Sequence, residues 1–226
     1  ATTAGSISGG LMTAIRYTAS TTFTVPTGVS LIYVSMVGGG QGGNKGPRGN
    51  SDQGGYGGMA GGAAISVPFP CAAGNVISIL VGSGSAASAA VSQTVFNVAT
   101  GSSITLGSRS IKCFGAGAPQ LVTGGATNQT RDDTTNFNLG GIGGISSFSG
   151  GSAAIAIYGR YTPQTNFDAK SGAQGGNSWL GDGGAGGTGN GATGTAGGAN
   201  TGAGGGGSGF GGVAGAGGSG CVIIEY

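Results

Sequence analysis

Residues 191–218 read GATGTAGGANTGAGGGGSGFGGVAGAGG, a glycine-rich tract of 28 residues. In steps of three from Gly191, eight of the ten positions are glycine, and the exceptions are Asn200 and Ala203. Three residues per turn is the repeat of the polyproline II helix, and a glycine at every third position leaves one edge without Cβ atoms, so that another backbone can approach it closely. The stretch therefore predicts glycine-rich helices of the polyglycine II type that pack side by side.

A second tract has the same repeat. From Gly40 to Gly61, seven of the eight positions in steps of three are glycine, with Asp52 as the exception, and the chain holds 58 glycines in 226 residues. One unbroken helix over 191–218 would be roughly 87 Å long, which is longer than a compact domain. We therefore expect short helices that break at Asn200 and Ala203, and at Asp52 in the second tract. Collagen is excluded because 191–218 contains no proline, and disorder is disfavoured because 6% of the residues are charged and 37% are hydrophobic.

The sequence outside the glycine tracts has the composition of β-strands, rich in Val, Ile, Thr and aromatic residues. The strand-like stretches are 23–37, 64–81, 95–114 and 221–226. Turns are expected at Pro26 with Gly28, Ala73-Gly74-Asn75, Gly101 and Gly107, and a corner at Pro68 and Pro70. Because no stretch shows helical periodicity with caps, we predict a mainly β fold: a small β-sandwich-like frame that carries bundled glycine-rich polyproline or polyglycine II segments, with essentially no α-helix.

The glycine tracts interleave with the strand-like stretches, which favours one domain over residues 21–226. Residues 1–20 are expected to be a connector to a fibre or to an assembly partner. They lack the pattern of a signal peptide, and no apolar run is long enough to span a bilayer. The net charge of +2 is too small and too dispersed to indicate nucleic-acid binding.

Catalysis is not expected, because the chain has no histidine to serve as a general base or a metal ligand. Asp132 and Asp133 are adjacent, which is not glycosidase spacing, although a pair of acids distant in sequence is left open. The three cysteines form no C-x-x-C motif, so no metal, redox site or cofactor is predicted. Cys113 and Cys221 lie in apolar strands and are predicted to be buried thiols, with one disulfide and a leftover thiol as the alternative to three free cysteines.

The order of the blocks resembles a known family. The blocks are FTVPTGVSLIYVSMVGGG at 23–40, GGYGGMAGGAAISVPF at 54–69, ISILVGSG at 77–84 and GSGCVIIEY at 218–226. Together they resemble the glycine-rich domain of bacteriophage tail-fibre proteins over roughly residues 21–226. T-even-type phage adhesins are similar in general design, with polyglycine II helices bundled into a sandwich and variable segments that contact the host.

This resemblance implies a non-enzymatic viral adhesin at the distal tip of a tail fibre. It would fold in the host cytoplasm and act on the virion, where it binds a bacterial outer-membrane protein or a lipopolysaccharide glycan for host attachment. Fibres of this kind are commonly trimeric, so a homotrimer is expected, with a monomer seated on another fibre protein as the alternative.

Three segments that interrupt the glycine carry most of the charge, next to aromatic residues: 44–56, 127–139 and 155–180. Tyr, Trp and Arg dominate binding hot spots, and loops on a rigid scaffold are where binding usually resides. The candidates for receptor binding are Tyr56, Arg131, Phe137, Tyr158, Arg160, Tyr161, Phe167 and Trp179. Each has a structural alternative; Trp179 or Phe137, for example, could cap an apolar layer.

An ice-binding or purely structural glycine-rich protein is the alternative function. A flat bundle with regular Thr or Ala on one face can order water, and the last tract contains Thr188, Thr193, Thr195 and Thr201. Their spacing of five, two and six residues is irregular, and a structural spacer needs no charged, aromatic loops. Attachment is therefore the favoured function.

Overall fold

The computed structural model describes residues 12–45, 54–89, 97–116, 136–139 and 172–226, of which 136–139 are described by their backbone alone. The strands are β1 (Ala14–Tyr17), β2 (Thr21–Thr24), β3 (Leu31–Val37), β4 (Ala63–Pro70), β5 (Val76–Leu80), β6 (Ser102–Leu106), β7 (Arg109–Cys113), β8 (Asn136–Leu139) and β9 (Cys221–Glu225). One sheet is antiparallel and has the strand order β1-β9-β3-β4. The other has the order β2-β5-β6-β7-β8 and is antiparallel except for the parallel pair β7 and β8.

The two sheets enclose one hydrophobic core, and together they form the frame. Side chains alternate along the strands, so that Ile77 and Ile79 of β5 are buried while Val76 and Leu80 are exposed. Burial of each such aliphatic side chain contributes roughly 1.5–3 kcal/mol. The same core contains Phe23, Ile32, Val34, Met36, Phe69, Ile104, Ile111, Val222 and Ile224. The predicted mainly β fold is confirmed, and the described part of the chain has no α-helix.

Three of the turns expected in the frame lie where the sequence predicts them, whereas the turn expected at Gly101 is wrong, because Gly101 ends the extended segment 97–101 and leads directly into β6. Gly28, Gly74 and Gly107 lie in the turns and have φ values of 86°, 80° and 59°. The expected corner at Pro68 and Pro70 is wrong, because both residues lie within β4. β4 is an edge strand of its sheet, where a residue without an N–H group is tolerated.

The first described strand is part of the frame. β1 pairs with β9 so that Ile15 lies opposite Ile224, and backbone hydrogen bonds join Thr13 to Tyr226 in both directions. The fold therefore begins before residue 21, and the connector expected over residues 1–20 overlaps β1. Residues 1–11 lie outside the described residues.

The glycine tracts form extended segments that run side by side. Hydrogen bonds between neighbours recur every three residues: the N–H groups of 55, 58 and 61 donate to the carbonyls of 208, 205 and 202. This step of three is the repeat of polyglycine II. The segments within the described part of the chain are 38–44, 54–62, 82–88, 97–101, 114–116, 172–177, 181–188, 192–198, 202–209 and 212–220.

Two of these segments are axial, meaning that other segments surround them. Segment 202–209 exchanges backbone hydrogen bonds with six neighbours, which also bond to one another around it: 38–44, 54–62, 172–177, 181–188, 192–198 and 212–220. Segment 38–44 is likewise surrounded by 54–62, 82–88, 97–101, 114–116, 202–209 and 212–220. Each axial segment and its six neighbours form a hexagonal arrangement in cross-section, and the two hexagons share the segments between them, so that the ten segments lie in layers of three, four and three. In this arrangement, interior backbone groups find hydrogen-bond partners without a regular sheet.

Close approach requires glycine inside this bundle. A Cβ atom at Gly206 would overlap the carbonyl oxygen of Ala185, and a Cβ atom at Gly204 would overlap that of Gly58. Some residues with side chains lie on the outside of the bundle, such as the exposed Val213 of segment 212–220, whereas others, such as Ala203 and Gln41, are buried in it. Outward side chains prevent a further backbone from joining the lattice at these positions.

The breaks between segments agree in part with the sequence. The chain turns at Asn200, as predicted, with a φ of 60°. The expected break at Ala203 is wrong, because Ala203 is fully buried within axial segment 202–209. A turn that the repeat conceals lies at Gly211, whose φ is 71°. The expected break at Asp52 lies outside the described residues.

The bundle joins the frame at one end, called here the frame end. Segments 38–44 and 82–88 follow β3 and β5, and segments 54–62 and 212–220 lead into β4 and β9. The opposite end of the bundle is called the distal end. The end of the frame far from the bundle, which includes the turn between β6 and β7, is called the base.

Candidate functional site

The distal end is where interruptions of the glycine leave and rejoin the bundle. Lys45 and Gly54 flank residues 46–53, and Gly172 follows residues 140–171. These flanking positions lie at one level, because Ala173 N–H donates to Gly55 O at 2.9 Å and Gly55 N–H donates to Ser208 O at 2.7 Å. Turns of the bundle add Asn190 and Phe210 to the same end, where Gly191 N–H donates to Phe210 O at 2.8 Å.

Tyr56 is a predicted site residue that lies at the distal end. It is half-buried, and its backbone is fixed by Asn44: Asn44 N–H donates to Tyr56 O at 2.9 Å, and Tyr56 N–H donates to Asn44 Oδ1 at 2.5 Å. Lys45 is next to this pair and is half-buried. Among the described residues at the distal end, Lys45 is the one with a charged side chain.

Trp179 lies at the frame end, away from Tyr56. It belongs to a turn closed by Ser178 and Gly181, and it packs with Leu180 against the buried cluster of Val37, Ala63 and Cys221. Its Nε1 atom is buried and has no hydrogen-bond partner among the described residues. This position is that of a cap on an apolar layer, the structural alternative considered for Trp179.

The other predicted site residues are not brought together by the described structure. Phe137 is in β8, opposite Ile111 of β7, at an edge of the five-stranded sheet. The remaining candidates lie outside the described residues: Arg131, Tyr158, Arg160, Tyr161 and Phe167.

Sequence reasoning missed the polar residues that complete the bundle's hydrogen bonds. Ser85 Oγ accepts from Gly42 N–H and donates to Asn97 O, both at 2.9 Å. Gln41 Oε1 accepts from Met59 N–H at 3.3 Å. The signal is visible in the sequence, since these residues are single polar side chains with small residues on both sides. Their hydrogen-bond partners become clear only once it is known which segments lie next to one another.

All three cysteines are free thiols, so the alternative of one disulfide with a leftover thiol is wrong. Cys113 is buried, and its thiol donates to Met36 O at 3.7 Å. Burial raises the pKa of Cys113 far above its ordinary value and also raises that of Cys221. Both thiols therefore stay protonated and weakly nucleophilic near neutral pH.

Two further observations concern other kinds of site. Within the described ranges, no group of three or more His, Cys, Asp or Glu residues could hold a metal ion. A search of the same residues finds no helix with the length and apolar character needed to cross a membrane.

Comparison with known proteins gives a match to one family model over most of the chain. A family model described as a glycine-rich domain matches residues 16–226. The chain belongs to this glycine-rich domain family. The match begins within β1 and ends with the residue after β9, so the family pattern includes both the frame and the bundle. No curated protein matches the chain.

Proposed function

We propose that this glycine-rich domain is the receptor-binding tip of a bacteriophage tail fibre and attaches the virion to a molecule on the bacterial surface. The observation that carries the proposal is the position of the distal end. Residues 46–53 and 140–171, which hold five of the 14 charged and four of the 15 aromatic side chains of the chain, leave or rejoin the bundle there. The frame occupies the other end, where it can join a fibre without obstructing this surface.

Preorganisation is the proposed mechanism. The axial segments are held by neighbours on all sides, so the entropy of ordering the backbone is lost during folding and not during binding. A rigid distal end then presents its loops in a fixed arrangement. Tyr56 remains a candidate contact, together with Arg131, Tyr158, Arg160, Tyr161 and Phe167. Phe137 lies in β8 of the frame and not at the distal end, and the apolar contacts of Trp179 favour a structural role.

The partners proposed are a bacterial outer-membrane protein or a lipopolysaccharide glycan, and other tail-fibre chains. Assembly as a homotrimer is proposed, with a monomer seated on a fibre as the alternative. No cofactor and no catalysis are included in the proposal.

The alternative of an ice-binding protein gains little from the threonines. Thr195 Oγ1 accepts from Ala185 N–H at 2.7 Å, and Thr201 Oγ1 donates to Gly198 O at 2.7 Å. These hydroxyls bond within the protein and do not form one regular array, so attachment remains the proposal.

The test is binding of the fluorescently labelled chain to a panel of bacteria, before and after protease treatment and in strains with truncated lipopolysaccharide. Saturable binding to some strains supports attachment, and the treatment that abolishes it identifies the receptor class. Absence of binding across a broad panel contradicts attachment by this chain alone.

A further inference from the structure

We propose that Asn44 is the positioning residue of the distal end: it holds Tyr56 next to the two points, Lys45 and Gly54, at which residues 46–53 leave and rejoin the bundle. The biological meaning of this inference rests on the proposed attachment function. Asn44 is the last residue of axial segment 38–44 and is only 1% exposed, so it acts on a receptor through the residues that it holds.

Asn44 connects several segments at once. It exchanges two hydrogen bonds with Tyr56, one through its backbone N–H and one through its side-chain oxygen. Its carbonyl accepts from Ser208 N–H of the second axial segment at 3.3 Å, and it forms a parallel β-bridge with Ser88. Three neighbouring segments thus meet at the backbone of Asn44, and loss of its side chain would remove the bond to Tyr56 N–H while the backbone contacts remain.

The side-chain bond replaces a backbone carbonyl. Gly62 N–H donates to Phe114 O at 3.0 Å. One and two steps of three nearer the distal end, the N–H groups of Met59 and Tyr56 donate instead to the side-chain oxygens of Gln41 and Asn44. Two amide side chains thus complete the lattice along one side of segment 54–62.

Gln41 is therefore a matched control for Asn44. Both residues are buried, both also donate a backbone N–H to the residue that they hold, and both supply one amide oxygen to that residue. Gln41 differs in that its Nε2 also donates to Asn97 O at 3.4 Å.

Gln41 lies between two other bonded steps, Gly38 with Gly62 and Asn44 with Tyr56, whereas Asn44 forms the last described step between segments 38–44 and 54–62. Beyond that step, Gly55 is bonded to Ser208 and Ala173 of other segments. Loss of the last bond between two segments loosens that end of the pair, whereas the effect of losing an interior bond is confined by the bonds on both sides of it.

The experiment compares Asn44→Ala and Gln41→Ala in the full chain, by hydrogen exchange and by binding to a strain that the unmodified chain binds. Asn44→Ala should speed exchange of the Tyr56 amide by about tenfold or more and weaken cell binding by a similar factor. Gln41→Ala should speed exchange at Met59 and leave cell binding unchanged. Asn44→Ser, with a shorter polar side chain of the kind that the bundle holds at Ser85, should act like Asn44→Ala and serves if the alanine variant does not fold.

Two outcomes would overturn the inference. One is an unchanged exchange rate at Tyr56 in a folded Asn44 variant. The other is an equal loss of binding in the Asn44 and Gln41 variants, which would mean that Asn44 acts only through general stability. If the unmodified chain binds no strain, the attachment proposal fails, but the exchange rates still decide whether Asn44 positions Tyr56.

Discussion

Single glycines in the axial segments are under a steric constraint that no other residue can meet. Gly206→Ala should destabilise the protein by about 3 kcal/mol or more, because its Cβ would overlap backbone carbonyl oxygen and not a side chain that can move. Ala196→Val, which adds volume at an exposed position of segment 192–198, is the control and should change stability by less than about 0.5 kcal/mol. Urea unfolding measures both, and similar free energies for the two variants would contradict the lattice.

The buried thiols predict how stability depends on pH. The pKa of Cys113 is raised by burial above its ordinary value of 9.0, so the folded protein retains a proton that the unfolded chain releases in alkali. Stability is therefore fully present below about pH 9 and falls as the pH rises above it, by up to roughly 1.4 kcal/mol per pH unit for this thiol.

Urea unfolding between about pH 8 and about pH 10.5 tests this dependence. Cys113→Ala should lower stability at the lower pH because it opens a small cavity, yet its stability should fall less steeply with pH. Identical slopes for the variant and the unmodified chain would show that Cys113 does not titrate on unfolding in this range.

Among the elements, the junction between the frame and the bundle depends on Ser102 at the start of β6. Its hydroxyl donates to Val37 O at 2.7 Å and accepts from Gly82 N–H at 2.9 Å, and the residue is buried. Ser102→Ala leaves two buried backbone groups without this partner and should cost about 2 kcal/mol or more. The neighbouring half-exposed Ser103 is the control, and Ser103→Ala should cost less than about 0.5 kcal/mol. Thermal unfolding that shifts equally in the two variants would argue against this role.

Elements were predictable where one local rule decides the conformation. The strand composition and the turn glycines Gly28, Gly74 and Gly107 needed no knowledge of neighbours. The prolines of β4 were misread because only the sheet order shows that β4 is an edge strand. The break expected at Ala203 was wrong for a similar reason. Glycine continues at every third position across the turn at Gly211, so the repeat alone does not show where each segment ends.

At the scale of the whole molecule, the three-residue repeat predicted a packed bundle but not which segments lie next to one another in it. Segments distant in sequence, such as 38–44 and 202–209, lie side by side because each has a bare edge, and many pairings satisfy that condition. The candidate site was affected most: aromatic composition placed Tyr56 and Trp179 in one group, whereas the fold places them at opposite ends of the bundle.

In the attachment function that we propose, the distal end, and not the base, meets the receptor. The most direct measurement is cell binding of two variants that carry a long polyethylene glycol chain on an introduced cysteine, in a Cys71→Ser background. Asn190→Cys places the polymer on an exposed turn of the distal end, and Ser108→Cys places it on an exposed turn of the base. The polymer at position 190 should abolish binding, and the polymer at position 108 should leave binding intact. Intact binding with the polymer at position 190, or loss of binding with the polymer at position 108 alone, would contradict the proposal.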